Sequence, residues 1–360
     1  MRIPTLSTSL TGRDIVPEHE QDIFFTSLGL AVLDEIRVPG QEPLRNILGG
    51  SGTYATLGAR LFLPGSLSPN LGWMIRVGND FPIPVEEALW SWNPTLVIQK
   101  EPGSASTRGL LEYRDTTFGP KDFKYTTPVL GVQDSSLEGT ALLRSKAYHY
   151  LASPQDIKTR IANLYAMRQK EAISDRPLII WEPSPLFCNP NDLQECLEAA
   201  SIVDVFSPNH IELARLFSVS LSAESVRRNM EDLAARVLER GVGPDSQGVV
   251  IIRAGEHGCY VSARGLSPKW LPPYYGPGSG ELNVSKVVDP TGAGNTFLGA
   301  YAIGYVKTGN VIDAACYGSV GASFAIEQVG IPEIKGEHGR EVWNGISVYS
   351  RLHEYMSRII

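Results

Sequence analysis

"VVDPTGAGNTFLGAYAIGY" (Val287–Tyr305) is the stretch on which the reading of this chain turns. A polar strand end, Asp289-Pro290-Thr291, meets three small residues, Gly292, Ala293 and Gly294, and Asn295 then opens a long apolar segment. Residues this small let an anion come up against the backbone. The first N–H groups of a helix lack intrahelical partners and carry partial positive charge, so a helix starting here would present donors to a phosphate. Small residues also allow a helix to pack closely on a sheet, and Gly-Ala-Gly alone does not choose between the two. No Gly-Lys-Ser/Thr follows, so this is not a P-loop. No full G-x-G-x-x-G follows a first strand, so it is not a dinucleotide fingerprint either.

Working outward, the chain alternates apolar runs with amphipathic ones. "IFFTSLGLAVLDEI" reads as one buried strand ending in Asp34, and "RNILGGSGTYATLGARLFL" as the turn Gly49-Gly50 followed by a helix from Thr53 to Phe62. "LGWMIRVGNDF", "KAYHYLAS" and "PLIIWEPSP" read as strands. "SIVDVFSPNHIELARLF" is a strand and a helix capped near Asn209, and "GVVIIRAGEHGCYVSA" is a hairpin turning between Gly255 and Gly258. Near-continuous apolar strands separated by helices predict a mainly parallel sheet covered by helices. "STRGLLEYRDTTFGPKDFKYTT" differs: apolar and polar residues alternate around Gly119-Pro120, which predicts an exposed antiparallel hairpin. "DAACYGSVGASFAIEQVG" predicts a second apolar helix, and "REVWNGISVYSRLHEYMSRII" an amphipathic one packed on the body.

Length and composition bound the rest. The 360 residues, 42% of them hydrophobic, suffice for one large domain with a small appendage. A net charge of −7 without a basic cluster argues against nucleic acid. The four cysteines (Cys188, Cys196, Cys259, Cys316) make no metal-ligand spacing and read as free buried thiols of a reducing compartment. Residues 1–21 read as a polar, mobile tail without the apolar core of a signal peptide. No apolar run approaches the ~18 residues of a membrane span. The expected location is cytoplasmic.

In a parallel sheet of this kind, ligands sit at the carboxyl ends of the strands. The loops there hold Asp34, Gly49-Gly50, Asn79-Asp80, Glu182-Pro183, Asn209 to Glu212, Gly255 to Gly258 and Asp289 to Asn295. Each alone is more readily read as a turn. Their order is what carries force: "GLAVLDEI", "GGSGTYATLGARL", the hairpin, "FSPNHIELARLF", "VIIRAGEHGCYV" and "DPTGAGN" follow one another as in the PfkB (ribokinase-like) family of carbohydrate and nucleoside kinases, which the chain resembles over about residues 22–333. That resemblance implies a three-layer α/β fold, with a small β-hairpin lid from about 35–48 and 104–128, and residues 334–360 as a C-terminal helix on the body.

The resemblance also implies roles. ATP and Mg²⁺ would be the cofactors and a hydroxylated small molecule the substrate, with a homodimer through the lid strands as a further family trait. Gly292, Ala293 and Gly294, after Thr291, would form the anion hole. Asn209 and Glu212 would organise Mg²⁺ through water. Gly255 and Gly258 would form the nucleotide-side turn, and the segment around Ser319 to Gly330 would flank the adenine. Asp34 would bind substrate hydroxyls beside the Gly49-Gly50 pair. Three positions depart from the pattern. The catalytic aspartate is Asn295, the sugar-contacting asparagine is Tyr54, and the threonine before the nucleotide-side turn is Arg253. "GGSGTYA" together with "GAGN" also looks like a fungal group of PfkB-type proteins, that of the yeast maintenance-of-killer protein. An asparagine oxygen accepts a hydrogen bond but is no base. Losing a general base costs about 10²–10⁴-fold in rate. Three readings follow: a kinase in which another group takes the proton, a nucleotide- or metabolite-binding pseudokinase, and an enzyme that uses the cleft for other chemistry. Asp80, Glu182 and Asp289 are the carboxylates from which a substitute could come.

Overall fold

The computed structural model describes residues 22–116, 121–276, 286–336 and 340–359. The expected mobile tail at 1–21 and the Gly119-Pro120 turn lie outside the described residues.

The chain opens with strand β1 (Phe25–Ser27), then β2 (Val32–Arg37), β3 (Leu44–Gly49) and helix α1 (Ser51–Leu61). Next come β4 (Leu71–Gly78), α2 (Ile83–Ser91), β5 (Thr95–Glu101), β6 (Arg108–Tyr113) and β7 (Lys121–Tyr125). β8 (Ala147–Ala152), α3 (Pro154–Lys170), β9 (Leu178–Pro183), α4 (Leu193–Ala200), β10 (Val205–Phe206), α5 (His210–Leu216) and α6 (Val226–Arg240) follow as strand–helix units. β11 (Val249–Arg253), β12 (Cys259–Ala263) and β13 (Lys269–Leu271) precede α7 (Ala293–Thr308) and α8 (Val311–Ala325). The described chain closes with β14 (Ile334–Lys335), β15 (Val342–Trp343) and α9 (Val348–Ser357).

Among the described residues nine strands form the central sheet, in the order β13-β12-β11-β10-β9-β8-β1-β4-β5. All pairs from β11 to β5 are parallel, and β12 and β13 add antiparallel at one edge. Both faces are buried, which is why the strands read as unbroken apolar runs. The alternation within them is still exact in period: Val249 and Ile251 pack toward α1, α7 and α8, while Val250 and Ile252 pack toward α3 to α6. No described helix is long and apolar enough to cross a membrane. The four cysteines are free and buried, as expected.

A separate four-stranded sheet, β3-β2-β6-β7, stands over this layer; its outer pairs are antiparallel and β2-β6 is parallel. Here one expectation is corrected. "IFFTSLGLAVLDEI" is not one strand: it breaks at Leu28–Ala31, so that β1 joins the central sheet and β2 the small one. The cause is a close crossing over the start of α1. A Cβ on Gly29 would lie 2.6 Å from the Gly52 nitrogen, and Leu30 accepts a 2.9 Å bond from Gly52 N–H. A run buried on both sides carries no periodic mark of such a switch.

The second correction concerns the C-terminal segment. Helix begins only at Val348, because Trp343 and Ile346 close a tight turn through Asn344 (φ 49°) and Gly345 (φ 76°). α9 packs on α8, where buried Arg351 pairs with Glu327 at 2.8 Å.

The helices nearest the ligand end meet backbone to backbone. A Cβ on Gly58 of α1 would fall 2.0 Å from the Thr296 carbonyl, and one on Gly299 of α7 1.7 Å from the Ala55 carbonyl.

Candidate active site

The site is built where β1, β8, β9 and β11 end and α7 begins. Gly292 adopts the left-handed conformation (φ 78°) and is the N-cap of α7. Among the described residues no side chain caps that helix, and its first turn holds no acidic residue, so its positive dipole end is left without a neutralising partner of its own. Two side chains lie against the glycines. The ring of Tyr54, from α1, covers Gly292: a Cβ there would be 2.2 Å from Cγ of the ring. The guanidinium of Arg253, at the end of β11, lies on Gly294, whose Cβ would be 2.1 Å from Nη1.

Arg253 is held on several sides. Its Nη1 is 2.8 Å from Glu182 Oε1, its Nη2 donates to the Ser207 carbonyl at 2.8 Å, and Nη2 is 3.8 Å from Glu212 Oε2. The other oxygen of Glu182 accepts from the Asn295 amide and lies 3.3 Å from His149 Nε2. His149 Nδ1 is 3.2 Å from Ser27 Oγ. Burial pushes Glu182 up, but Arg253 and His149 outweigh it and hold the carboxyl below its ordinary range. Of the three carboxylates named from sequence, Glu182 is thus the one beside Asn295. Asp80 pairs with Arg108 at 2.9 Å, and Asp289 caps Thr291, accepting from its N–H at 2.9 Å and its hydroxyl at 2.6 Å.

A second polar cluster joins the small sheet to the helix start. Lys121, from β7, donates to Thr291 Oγ1 and, at 3.0 Å, to Tyr113 Oη; Tyr113 donates to Asp289 at 2.8 Å. The sequence reading missed Lys121, Tyr113 and His149. Lys121 shares one face of β7 with Phe123 and Tyr125, which are half exposed and packed edge to face at 5.0 Å.

Asp34 stands on that same face of β2, between Gly49 and Gly109. A Cβ on either would come within 2.0 Å and 2.3 Å of its oxygens, so both glycines make room for the carboxylate. It is 6% exposed, and among the described residues its Oδ1 has no hydrogen-bond partner. Burial pushes it up to about 7, against the pull of Lys121 and with the push of Asp289. A carboxyl raised in the folded state costs stability as pH climbs from its ordinary 3.8 through about 7. Asp34→Asn is therefore expected to raise the melting temperature at pH 8 by a few degrees and to leave it unchanged at pH 4. A lower melting point at pH 8 would contradict the assignment.

The remaining expected residues have plain structural duties in view. Asn209 and Glu212 form a capping box at the start of α5, with reciprocal bonds of 2.8 and 2.7 Å. Burial raises Glu212 to about 7, against the pull of Arg253. Gly255 and Gly258 turn β11 into β12 with positive φ, and a Cβ on Gly258 would strike the Leu271 carbonyl at 2.0 Å. Gly50 (φ 95°) is the N-cap of α1. Ser319 is buried, its hydroxyl 3.9 Å from Cys259 Sγ. The structure thus gathers Asp34, Gly49, Tyr54, Thr291 and Gly292 on the small-sheet side, and Glu182, Glu212, Arg253, Gly294 and Asn295 on the other.

Residues 133–333 match the family model described as pfkB family carbohydrate kinase. The chain belongs to the PfkB family. An uncharacterised protein of Schizosaccharomyces pombe is 34% identical over 343 residues, covering 93% of both chains. Protein MAK32 of Saccharomyces cerevisiae is 30% identical over 343 residues, covering 92% of this chain and 91% of that one. Among solved structures, a putative ribokinase II of E. coli in complex with ATP and Mg²⁺ superposes with a TM-score of 0.62 at 17% identity, covering 94% of this chain and 99% of that one. The ribokinase-like fold of this PfkB member, with its separate small sheet, is as expected.

Proposed function

We propose that the protein is a PfkB-type phosphotransferase that takes Mg-ATP and passes a phosphoryl group to a hydroxyl of a small molecule, a sugar, a nucleoside or a relative of these. The observation that carries this reading is the start of α7, uncapped among the described residues, set between Arg253 and Lys121 near Asp34, a buried carboxylate whose Oδ1 has no described partner. Asp34 would accept from acceptor hydroxyls, with Phe123 and Tyr125 as an aromatic wall of the lid. Gly292, Ala293 and Gly294 would hold the transferring phosphate by their N–H groups. ATP supplies the phosphoryl group, and Mg²⁺ would come with its phosphates. Glu212 fits the water shell of such a cation, whose field would favour the ionised form that burial now disfavours.

Asn295 has no basicity, so turnover would rest on positioning and charge, which carry most of phosphoryl transfer. A second reading, nucleotide binding without transfer, is favoured by one observation: the side chain at the head of α7 is an amide that donates to Glu182, not a free carboxylate base. A homodimer through the lid would have to bury the ion pairs of Glu35 with Arg37 and Arg45 on its other face, at a desolvation cost.

Calorimetry of Mg-ATP binding tests the shared part of both readings. Gly294→Val puts a branched side chain where Arg253 Nη1 now lies and shields the helix N–H groups. Affinity is expected to fall at least about tenfold, or ~1.4 kcal/mol. Binding followed by acceptor-dependent ADP release would support transfer; binding with no ADP over a broad acceptor screen would support the second reading. No binding at millimolar ATP would overturn both, leaving the cleft to another ligand.

A further inference from the structure

The absence of a base at position 295 has a partner elsewhere in the fold. Glu182 ends β9 with its side chain 8% exposed, and each of its oxygens is engaged: Oε1 with Arg253, Oε2 with the amide of Asn295 and with His149. Asn295 is the only one of these groups on α7. The guanidinium that Glu182 holds lies on Gly294, one residue before it. An amide at 295 can donate to a carboxylate; an aspartate there could not, unless one of the two carboxyls took up a proton.

We propose that Asn295 is the donor half of a polar lock with Glu182, and that this lock positions Arg253 over the start of α7. Asn295 and Glu182 are then positioning residues. The substitution at 295 goes together with a buried carboxylate on another strand, rather than being a simple loss. Restoring the family aspartate would set two carboxylates against each other and free Arg253, so it should weaken the site and not repair it. For its consequence on phosphate binding, the proposal rests on the reading of the α7 start as a phosphate cradle; the lock itself does not.

Among the described residues, the charged and titratable groups facing this pair are His149 from β8, Arg253 from β11, Glu212 from α5, and Cys188 after β9. In Asn295→Asp the two carboxyls would share a proton, and the raised value of the pair sets the sign. A carboxyl raised in the folded state is harmless at low pH and costs stability as pH rises.

The test compares wild type, Asn295→Asp and the double variant Asn295→Asp/Glu182→Gln as full chains. Thermal melting is followed at pH 5 and pH 8, and Mg-ATP affinity is measured at pH 8. Asn295→Asp is expected to melt at least about 3 °C below wild type at pH 8, with the gap closing at pH 5. Its Mg-ATP affinity should fall at least about tenfold. The double variant re-forms a donor–acceptor pair with the roles exchanged, and should recover most of the melting gap at pH 8. Equal melting of Asn295→Asp and wild type at both pH values overturns the lock. So does loss of folding at both pH values that the double variant does not rescue, and so does faster ADP formation by Asn295→Asp. Failure of wild type to bind Mg-ATP would overturn the nucleotide reading alone, since the melting comparison needs no nucleotide.

Discussion

Gly299→Val is expected to leave little or no folded protein. The Cβ alone would sit 1.7 Å from the Ala55 carbonyl oxygen and 2.6 Å from its carbon, and both atoms are main chain in the middle of α1. No rotamer change can relieve such a contact, so the two helices must separate. Their separation would also strip contact from Gly58 and Thr296 on the facing surface. Overpacking a core costs about 1–3 kcal/mol when side chains can adjust, and more when they cannot. Against a typical total stability of about 5–15 kcal/mol, a loss of ~4 kcal/mol or more is expected here. Soluble yield and thermal melting of Gly299→Ala and Gly299→Val would show it as a graded collapse. Melting of the valine variant within about 3 °C of wild type would mean that the helices are not in contact as described.

Glu182→Ala is expected to be nearly as damaging, for an electrostatic reason. The carboxylate is buried against Arg253, whose side chain is itself only 10% exposed, and against the fully buried His149. Removing one partner of a buried pair leaves the other uncompensated, which typically costs about 3–5 kcal/mol. The pH dependence follows from the depressed carboxyl. A group held below its ordinary 4.5 contributes stability that is present above that value and fades as pH falls through its lower folded value. The difference between wild type and Glu182→Ala should therefore be full at pH 7 and shrink below about pH 4, measured by urea unfolding. A constant difference across that range would mean that the charge of Glu182 is not what stabilises the wild type.

Local patterns in the sequence disclosed much of the architecture. The apolar runs at Leu71, Ala147, Leu178 and Val249 are buried parallel strands, and the Asn209–Glu212 spacing is a helix cap. The alternation from Arg108 to Tyr125 is a hairpin of the small sheet. What stayed hidden depends on contacts between distant segments. The break at Gly29 is set by a crossing with Gly52, 23 positions on. The partner of Asn295, Glu182, lies on β9, and the groups that Glu182 also engages lie on β8 and β11; none shares a spacing rule with "GAGN". Glu182 could be named as one carboxylate among three, but the neighbours that engage it come from strand order, which pairs β8 with β9 and β9 with β10. Lys121 reaches the helix start only because β7 pairs with β6 beside β2, and no pattern within β7 alone reveals what its inner face meets.

If the proposed site is occupied, the glycine contact between α1 and α7 bears on the size of what it would admit. α1 starts after Gly49-Gly50, beside Asp34, and α7 starts after Gly292; the two helices are clasped at Gly58 and Gly299, with the ring of Tyr54 set between their ends. Their starting points therefore act as the fixed jaws of a caliper. On the proposed reading, a ligand reaching from Asp34 to the start of α7 would have to match a span that neither helix can lengthen or shorten. Tolerance for longer or shorter molecules has to come from the Tyr54 ring and from the strands of the small sheet, and it is there that a change of ligand size would be written.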